Sequence, residues 1–216
     1  MKASFRLVAA LSLACLSSAC GHTPVTRTLA DAFVRGADVK ETKLDPKLRY
    51  LRVVAGGRES LMVLGYADSH PDGVIESWYS SAGEVIRLQN GRVISTSGLS
   101  VDWRSVRYTG LPDWTKLLDK APVEYVRERD EMPGYRFGIR ENVSLLAVRP
   151  PDNARLVGLV PSQLRWFEEF ADSGPGGRPS ARYGVRMAGG PASVVYGEQC
   201  LAAGLCIAWQ TWPVNP

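Results

Sequence analysis

Five glutamates could supply hydrolytic chemistry: Glu76, Glu84, Glu168, Glu169 and Glu198. Cleavage of a glycosidic bond needs two carboxyl groups about 5–9 Å apart, and sequence spacing alone does not show whether any two of these meet. The usual patterns for acyl transfer, nucleotide chemistry and zinc proteolysis (Gly-x-Ser-x-Gly, a glycine-rich phosphate loop, His-Glu-x-x-His) do not occur. We therefore predict no catalytic residues and a protein that is not an enzyme.

Two further groups of side chains could bind a ligand. The run Asp68-Ser-His70-Pro-Asp72 could hold a cation, but such runs are more often solvated turns. A sugar-stacking platform could be formed by Trp78, Tyr79, Trp103, Trp166, Trp209 and Trp212. In a small β domain such side chains more often fill the core. The sequence therefore predicts no metal site and no cofactor, and leaves the role of the tryptophans open.

The N-terminus has the features of a secretory leader. Lys2 and Arg6 precede an apolar stretch at 7–16, and Ser17-Ser18-Ala19 leads into Cys20. Small residues before a cysteine are typical of a bacterial lipobox, so we predict a lipoprotein signal peptide at 1–19 and acylation of Cys20. Cys15 is a weaker rival, because cleavage there would shorten the apolar stretch. Gly21, rather than Asp, favours the outer membrane, and we expect the lipid-anchored body on its periplasmic face.

Charge argues against a nucleic-acid partner. Removing residues 1–19 takes Lys2 and Arg6 from the 26 basic side chains, which then exceed the 22 acidic ones by only two. A field this weak does not support binding to a phosphate backbone.

Cys200 and Cys206 are six positions apart, between two strand-like runs. In an oxidising periplasm these two cysteines should pair once Cys20 is acylated. A metal or redox site would instead favour Cys-x-x-Cys spacing or nearby histidines, and His22 and His70 are remote in sequence. We predict a structural disulfide.

A β-hairpin is predicted around Asn90-Gly91, since both residues tolerate the positive φ of a type I′ turn. A two-residue loop pairs Leu88 with Val93, Arg87 with Ile94 and Ile86 with Ser95. Ile86, Leu88 and Val93 then share a buried face. The other face presents Arg87, Gln89 and Arg92. Their guanidinium groups could hold acidic sugars or a partner's carboxylates, so these three residues are the candidate binding surface.

The same segment carries a family resemblance. Residues 78–99 read Trp-Tyr-Ser-x-x-Gly-Glu-x-x-x-Leu-x-x-Gly-Arg-Val-Ile-x-Thr-x-Gly-Leu. This resembles the signature of the YjbF/GfcB family, the group 4 capsule polysaccharide lipoproteins, although Ala82 stands where members often have Asp. The ending Tyr-Gly-Glu-Gln-Cys…Cys-Ile-Ala-Trp-Gln-x-Trp-Pro is similar to the C-terminal part of some members. The resemblance implies a role in capsule or exopolysaccharide export or assembly, binding the polymer or export-machinery proteins rather than catalysing a reaction.

Short alternating runs indicate a mainly β chain. A short amphipathic helix at 28–36 falls in an anchor-proximal linker, 20–45. Strands at 48–54, 61–66 and 74–80 lead into the hairpin and predict a five-stranded meander. Residues 99–110 continue extended, 112–119 resemble a short helix, and 172–180 a flexible loop. Further strands are expected at 123–129, 136–148, 164–170, 181–187, 193–199 and 205–212, with 164–170 ambiguous between strand and helix.

About eleven strands and one or two short helices predict a single antiparallel β domain at 46–216, a rolled sheet or barrel-like fold. Two alternatives to the non-catalytic role remain open. Two close carboxylates in a cleft would favour a glycan-modifying enzyme. A large apolar cavity enclosed by the sheet would favour a lipid or lipoprotein carrier.

Overall fold

A computed structural model describes residue 39 and residues 42–117, 122–171, 180–187 and 190–214. The leader, Cys20 and the helix predicted at 28–36 lie outside these ranges, as does all but the last residue of the loop predicted at 172–180. Within the described ranges, no helix has the length and hydropathy to cross a membrane.

Twelve antiparallel strands make up most of the described chain, so the mainly β antiparallel fold is confirmed. The strands are β1 (Tyr50–Ala55), β2 (Arg58–Asp68), β3 (Ile75–Tyr79), β4 (Val85–Gln89), β5 (Arg92–Ser97), β6 (Asp102–Thr109), β7 (Val123–Met132), β8 (Arg136–Val148), β9 (Arg165–Ala171), β10 (Ala181–Arg186), β11 (Ser193–Ala202) and β12 (Leu205–Trp212). Two 3-10 helices cover Trp114–Leu117 and Pro161–Gln163. The ambiguous segment is a strand, β9. The helix expected at 112–119 is a 3-10 turn, and residues 118–119 lie outside the described chain.

The strands form one sheet in which consecutive strands are neighbours, except at one place. The order is β5-β4-β3-β2-β1-β12-β11-β10-β9-β8-β7-β6, so the predicted meander of β1 to β5 is confirmed. The first and last strands pair, with Val53 opposite Trp209. The edge strands β5 and β6 lie against each other, and the Tyr108 hydroxyl donates to the Val93 carbonyl at 2.9 Å. The sheet is therefore a nearly closed barrel.

Side chains hold the seam between β5 and β6. The Asp102 carboxylate accepts hydrogen bonds from the Thr96 hydroxyl and from the backbone N–H groups of Gly98 and Leu99, at 3.0–3.2 Å. The Trp103 N–H donates back to the Thr96 hydroxyl at 3.0 Å. The buried Asp102 carboxylate thus provides acceptors for the backbone N–H groups of Gly98 and Leu99, which would otherwise need partners in a neighbouring strand.

The predicted hairpin is present, with one correction to its register. Asn90 (φ 49°) and Gly91 (φ 73°) form the turn, and Leu88 lies opposite Val93 as predicted. An extra residue on β5, Ile94, shifts the remaining pairs by one. The predicted partners of the two preceding β4 residues were therefore wrong: Arg87 faces Ser95, and Ile86 faces Thr96.

The two ends of the barrel differ. We call one the cavity end; it is formed by the turns at 56–57, 80–84, 98–101, 133–135 and 203–204. At the opposite end, Trp114 and Leu117 of the 3-10 helix are buried against the barrel core. The Trp114 indole N–H donates to the Asn90 carbonyl at 3.0 Å, so this 3-10 helix is hydrogen-bonded to the hairpin turn.

A long connection between β8 and β9, residues 149–164, lies on the outer face of the sheet; we call it the strap. Leu156 and Leu159 pack against a second apolar cluster that includes Val54 and Tyr196. The Gln210 side chain accepts a hydrogen bond from the Val157 N–H at 3.0 Å and donates to the Val157 carbonyl at 2.7 Å. This buried glutamine therefore gives the strap the two hydrogen bonds that a neighbouring strand would supply.

Candidate functional site

Cys200 and Cys206 are bonded to each other, so the predicted disulfide is confirmed in this structure. They face one another as register partners in β11 and β12, with their Cα atoms 3.9 Å apart. The bond closes the β11–β12 turn at the cavity end. Its position is structural, since no histidine lies beside it in sequence.

The candidate binding surface of Arg87, Gln89 and Arg92 does not form as predicted. Arg87 is half-buried, and no described residue forms an ion pair with it. The Gln89 amide donates to the Gly73 carbonyl at 3.2 Å. Arg92 was wrongly placed on this surface, because its side chain is 1% exposed. Arg87 and Gln89 therefore remain on the predicted surface.

Arg92 turns into the barrel because a buried carboxylate and two aromatic rings receive it. Its Nε lies 3.5 Å from Glu169 Oε1, and Glu169 is 0% exposed. Its guanidinium lies 3.6 Å from the ring centroid of Trp114 and 5.5 Å from that of Tyr183. The attraction between a guanidinium and the face of an indole strengthens when both are out of water. The sequence could not show this contact, since Glu169 is remote from Arg92 along the chain.

Charges of alternating sign continue from this point along the inner side of β7 and β8. We call this set the interior charge row: Arg92, Glu169, Arg127, Glu141, Arg129, Glu131 and Arg136. Successive members lie 2.7–3.5 Å apart. The row begins in the core, where Arg92 and Glu169 are buried, and ends at Arg136, whose side chain is 60% exposed.

Burial and pairing act in opposite directions on the arginines of the row. Burial works against the charge of Arg127, but the carboxylates of Glu169 and Glu141 outweigh it and raise its pKa. Burial lowers the pKa of Arg129 despite the nearby Glu141. Both guanidinium groups lie near the Trp103 ring, at 4.9 and 4.7 Å from its centroid. Mutual pairing and the Trp103 ring thus stabilise the charges of the row.

Three tyrosines surround the buried end of the row. Burial, and then the negative charge of Glu169, raises the pKa of Tyr108, Tyr125 and Tyr183. The hydroxyls of Tyr125 and Tyr183 have no hydrogen-bond partner among the described residues. A phenol in this state keeps its proton, so none of the three supplies a base at neutral pH.

Sequence reasoning missed the interior charge row, although one signal was present. Arg127, Arg129 and Glu131 alternate in phase with Tyr125 along β7, which places four large side chains on one face. That face is the buried one. Because charged residues are rarely buried unless they are paired, the same alternation would have been interpreted as placing these side chains on the solvent face, which is incorrect.

The candidate hydrolytic glutamates are each engaged. Arg49 pairs with Glu76 at 2.6 Å, and Ser80 hydrogen-bonds to Glu84. Arg127 pairs with Glu169, as above. Arg182 lies between the remaining two, 2.8 Å from Glu168 and 3.6 Å from Glu198. Both carboxylates therefore face one shared arginine, whereas a glycosidase sets a protonated acid opposite a free carboxylate.

The cation and sugar-platform hypotheses find little support. His70 Nδ1 lies 3.6 Å from a carboxylate oxygen of Asp72, but no group of three possible metal ligands occurs among the described residues. Five of the six tryptophans are buried, and only Trp212 is half-buried. These five tryptophans therefore belong to the core rather than to an exposed platform.

A cavity of about 650 Å³ opens at the cavity end. Its lining comes from β1, β2, the turns at 80–84 and 98–101, β12, and the residues that precede β1. Val39, which is 5% exposed, forms part of the wall. This volume falls within the range of roughly 300–1,000 Å³ that is typical of ligand pockets.

Comparison with known proteins places this chain in a family. No curated protein sequence matches it. Among solved structures, the hypothetical lipoprotein YmcC from Escherichia coli (K12) is similar, with a TM-score of 0.58 and 14% identity over 91% of this chain and 99% of that chain. At this identity the likeness concerns the fold alone. The family model described as group 4 capsule polysaccharide lipoprotein gfcB, YjbF, matches residues 27–188. Since that match spans most of the sequence, the chain belongs to the YjbF family of group 4 capsule polysaccharide lipoproteins.

Proposed function

We propose that the protein is an outer-membrane lipoprotein, anchored through Cys20, that serves capsule or exopolysaccharide export or assembly without catalysing a reaction. Family membership supports the link to capsule polysaccharide. The observation that carries the non-catalytic assignment is the engagement of all five candidate glutamates by arginines or a serine. In this role a rigid β body on the periplasmic face binds the polymer or proteins of the export machinery.

The outer face of the hairpin remains the proposed contact for acidic groups, now reduced to Arg87 and Gln89. Arg87 is the cation there, since no described carboxylate pairs with it. A guanidinium donates forked hydrogen bonds to a carboxylate, the charged group of acidic sugars and of acidic protein surfaces. Gln89 is tied to the β2–β3 loop through Gly73, which holds this side of the hairpin in place.

The test is the amount of surface polysaccharide in a deletion strain carrying variants of the full chain. We expect the deletion to lose polymer, the wild type to restore it, and Arg87→Ser to restore it only in part. Arg149→Ser is the control, since Arg149 likewise has no described ion-pair partner, but is exposed and lies on the strap. Protein in the membrane fraction is quantified for each strain, so that lost binding is distinguished from lost protein.

Two outcomes would contradict the proposal. Normal polymer in the deletion strain would remove the export role. Loss of polymer from Glu168→Gln or Glu198→Gln, with the protein folded and anchored, would instead favour a glycan-modifying enzyme. Glu128→Gln serves as the control for these changes, because Glu128 pairs with Arg107 on the exposed side of β7.

A further inference from the structure

The floor of the cavity is aliphatic. Its apolar lining consists of Val39, Val53, Ala55, Leu61, Met62, Ala82, Ile86, Leu99, Leu205 and Ile207. None of the described lining residues is aromatic. Binding of a sugar ring favours a flat aromatic face, and the tryptophans of this chain are committed to the core instead. The lining therefore matches a flexible hydrocarbon chain better than a sugar.

The rim of the cavity is polar and offers a cation. Five hydroxyls line it, those of Thr42, Ser60, Ser80, Ser81 and Ser100. Two carboxylates line it as well: Glu59 pairs with Arg52 at 2.7 Å, and Glu84 accepts a hydrogen bond from the Ser80 hydroxyl. Arg58, beside Glu59, is exposed and has no described ion-pair partner. An apolar floor beneath hydroxyls and an unpaired guanidinium suits an amphiphile with an anionic head.

Two features support a position of this end of the barrel near lipid. Val39 in the cavity wall is 19 positions from Cys20, the predicted acylation site, so the linker can hold it at most about 65 Å from the membrane. The β7–β8 turn projects from the same end and carries Tyr135 and Phe137, which are 76% and 64% exposed. Arg136 stands between them and is also exposed. Exposed aromatics beside an arginine are typical of side chains that meet a membrane interface.

We propose that the cavity binds one acyl chain of an anionic membrane lipid, with the chain on the aliphatic floor and the head group at Arg58. This inference does not depend on the polysaccharide role, but its argument from position rests on the anchor at Cys20 in the proposed function. It assigns the protein a lipid ligand in addition to its own anchor.

Photo-crosslinking in cells tests the proposal on the full chain. Cells are fed a fatty acid that carries a diazirine, irradiated, and the purified protein is digested and mapped by mass spectrometry. We expect phospholipid adducts on peptides that contain Leu99 and Leu205. Leu99→Glu and Leu205→Glu should lower these adducts about tenfold or more, because an unpaired carboxylate is costly to bury against a hydrocarbon chain. Val160→Glu is the matched control, since Val160 is 51% exposed on the strap, and adducts should not change.

Two further variants keep the test decisive. Arg58→Ser leaves the floor intact, so the protein should fold normally yet lose its preference for phosphatidylglycerol over phosphatidylcholine in nanodiscs. Cys20→Ala removes the predicted acylation site, and the purified variant, supplied with the diazirine lipid in phosphatidylglycerol nanodiscs, should still form adducts at the cavity. Adducts in the wild type that map to the acyl group of Cys20 instead of a phospholipid would show that the chain's own anchor fills the cavity, and would overturn the assignment to a membrane lipid. The assignment would also be overturned by crosslinks from the cavity to residues 21–38, or by the absence of lipid adducts at the cavity.

Discussion

Glu169 is the residue on which the packing of charges inside the barrel depends. Its two carboxylate oxygens face different arginines, Arg92 at 3.5 Å and Arg127 at 3.2 Å. Both arginines are as buried as the glutamate. Removing its charge would leave two guanidinium groups without their shared counter-ion in a site that water does not reach.

We predict that Glu169→Gln lowers the free energy of unfolding by about 3–5 kcal/mol, the usual cost of breaking a buried ion pair. Urea denaturation followed by circular dichroism measures this change. Glu128→Gln, which removes an exposed pair with Arg107, should change stability little. Equal losses in the two variants would mean that the interior charge row contributes no more than a surface pair.

The buried tyrosines predict loss of stability in alkali. A tyrosine whose pKa is raised by folding keeps a proton that the unfolded chain gives up, so folding is favoured less as pH rises. The stabilisation is complete below the ordinary tyrosine pKa of 10.0 and declines above it, by about 1.4 kcal/mol per pH unit for each tyrosine still protonated in the folded state.

Tyr183→Phe should reduce the slope of this decline in the free energy of unfolding above pH 10.0 by the contribution of one tyrosine. It should leave stability at neutral pH equal or higher, because the hydroxyl that it removes is buried without a described partner. Urea unfolding at pH values on both sides of 10.0 gives the slope. Tyr135→Phe is the control at an exposed site, and a similar flattening there would contradict the assignment to buried tyrosines.

At the scale of elements, the strap depends on one side chain. Gln210→Leu would leave the N–H and carbonyl of Val157 without the partners they now have at 3.0 and 2.7 Å. We expect a loss of about 1–3 kcal/mol and faster hydrogen exchange across residues 149–164. Gln163→Leu makes the same change at an exposed position on the strap, and exchange there should stay as in the wild type. Unchanged exchange in Gln210→Leu would show that apolar packing alone holds the strap.

The elements that could be predicted from the sequence are those set by neighbours along the chain. Alternation indicated the strands, and Asn90-Gly91 indicated the hairpin turn, because both signals act over a few residues. The bulge at Ile94 could not be foreseen, since no residue type there requires it. One extra residue was enough to misplace two strand pairs.

The parts of the candidate site that could not be predicted depend on partners far apart in sequence. Arg92 was predicted on the surface because its buried partners, Glu169 and Trp114, are distant in sequence. Nothing near Gln210 in sequence indicated that it would hold the strap. The cavity likewise draws its wall from both ends of the described chain, which no local pattern reports.

For the molecule as a whole, attachment to the membrane is predicted to depend on Cys20. Palmitate should label the wild type and Cys15→Ala but not Cys20→Ala, which should also leave the outer-membrane fraction. Acyl chains contribute about 0.8 kcal/mol for each buried CH₂, so losing them removes most of the binding energy. Label that disappears only in Cys15→Ala would move the anchor to that residue, and equal label in all three would exclude lipidation at either cysteine.

The pairing of the first strand with the last also determines when the molecule can finish folding. β1 can pair with β2 as soon as residues 50–68 are made, but its other edge has no partner until Leu205–Trp212 arrive. Contacts this distant in sequence form slowly, because a long loop must close first. The barrel is therefore completed only after nearly the whole chain has been synthesised. A chain that ended before Leu205 would keep eleven strands with β1 and β11 unpaired along one side, and such edges recruit other chains into aggregates.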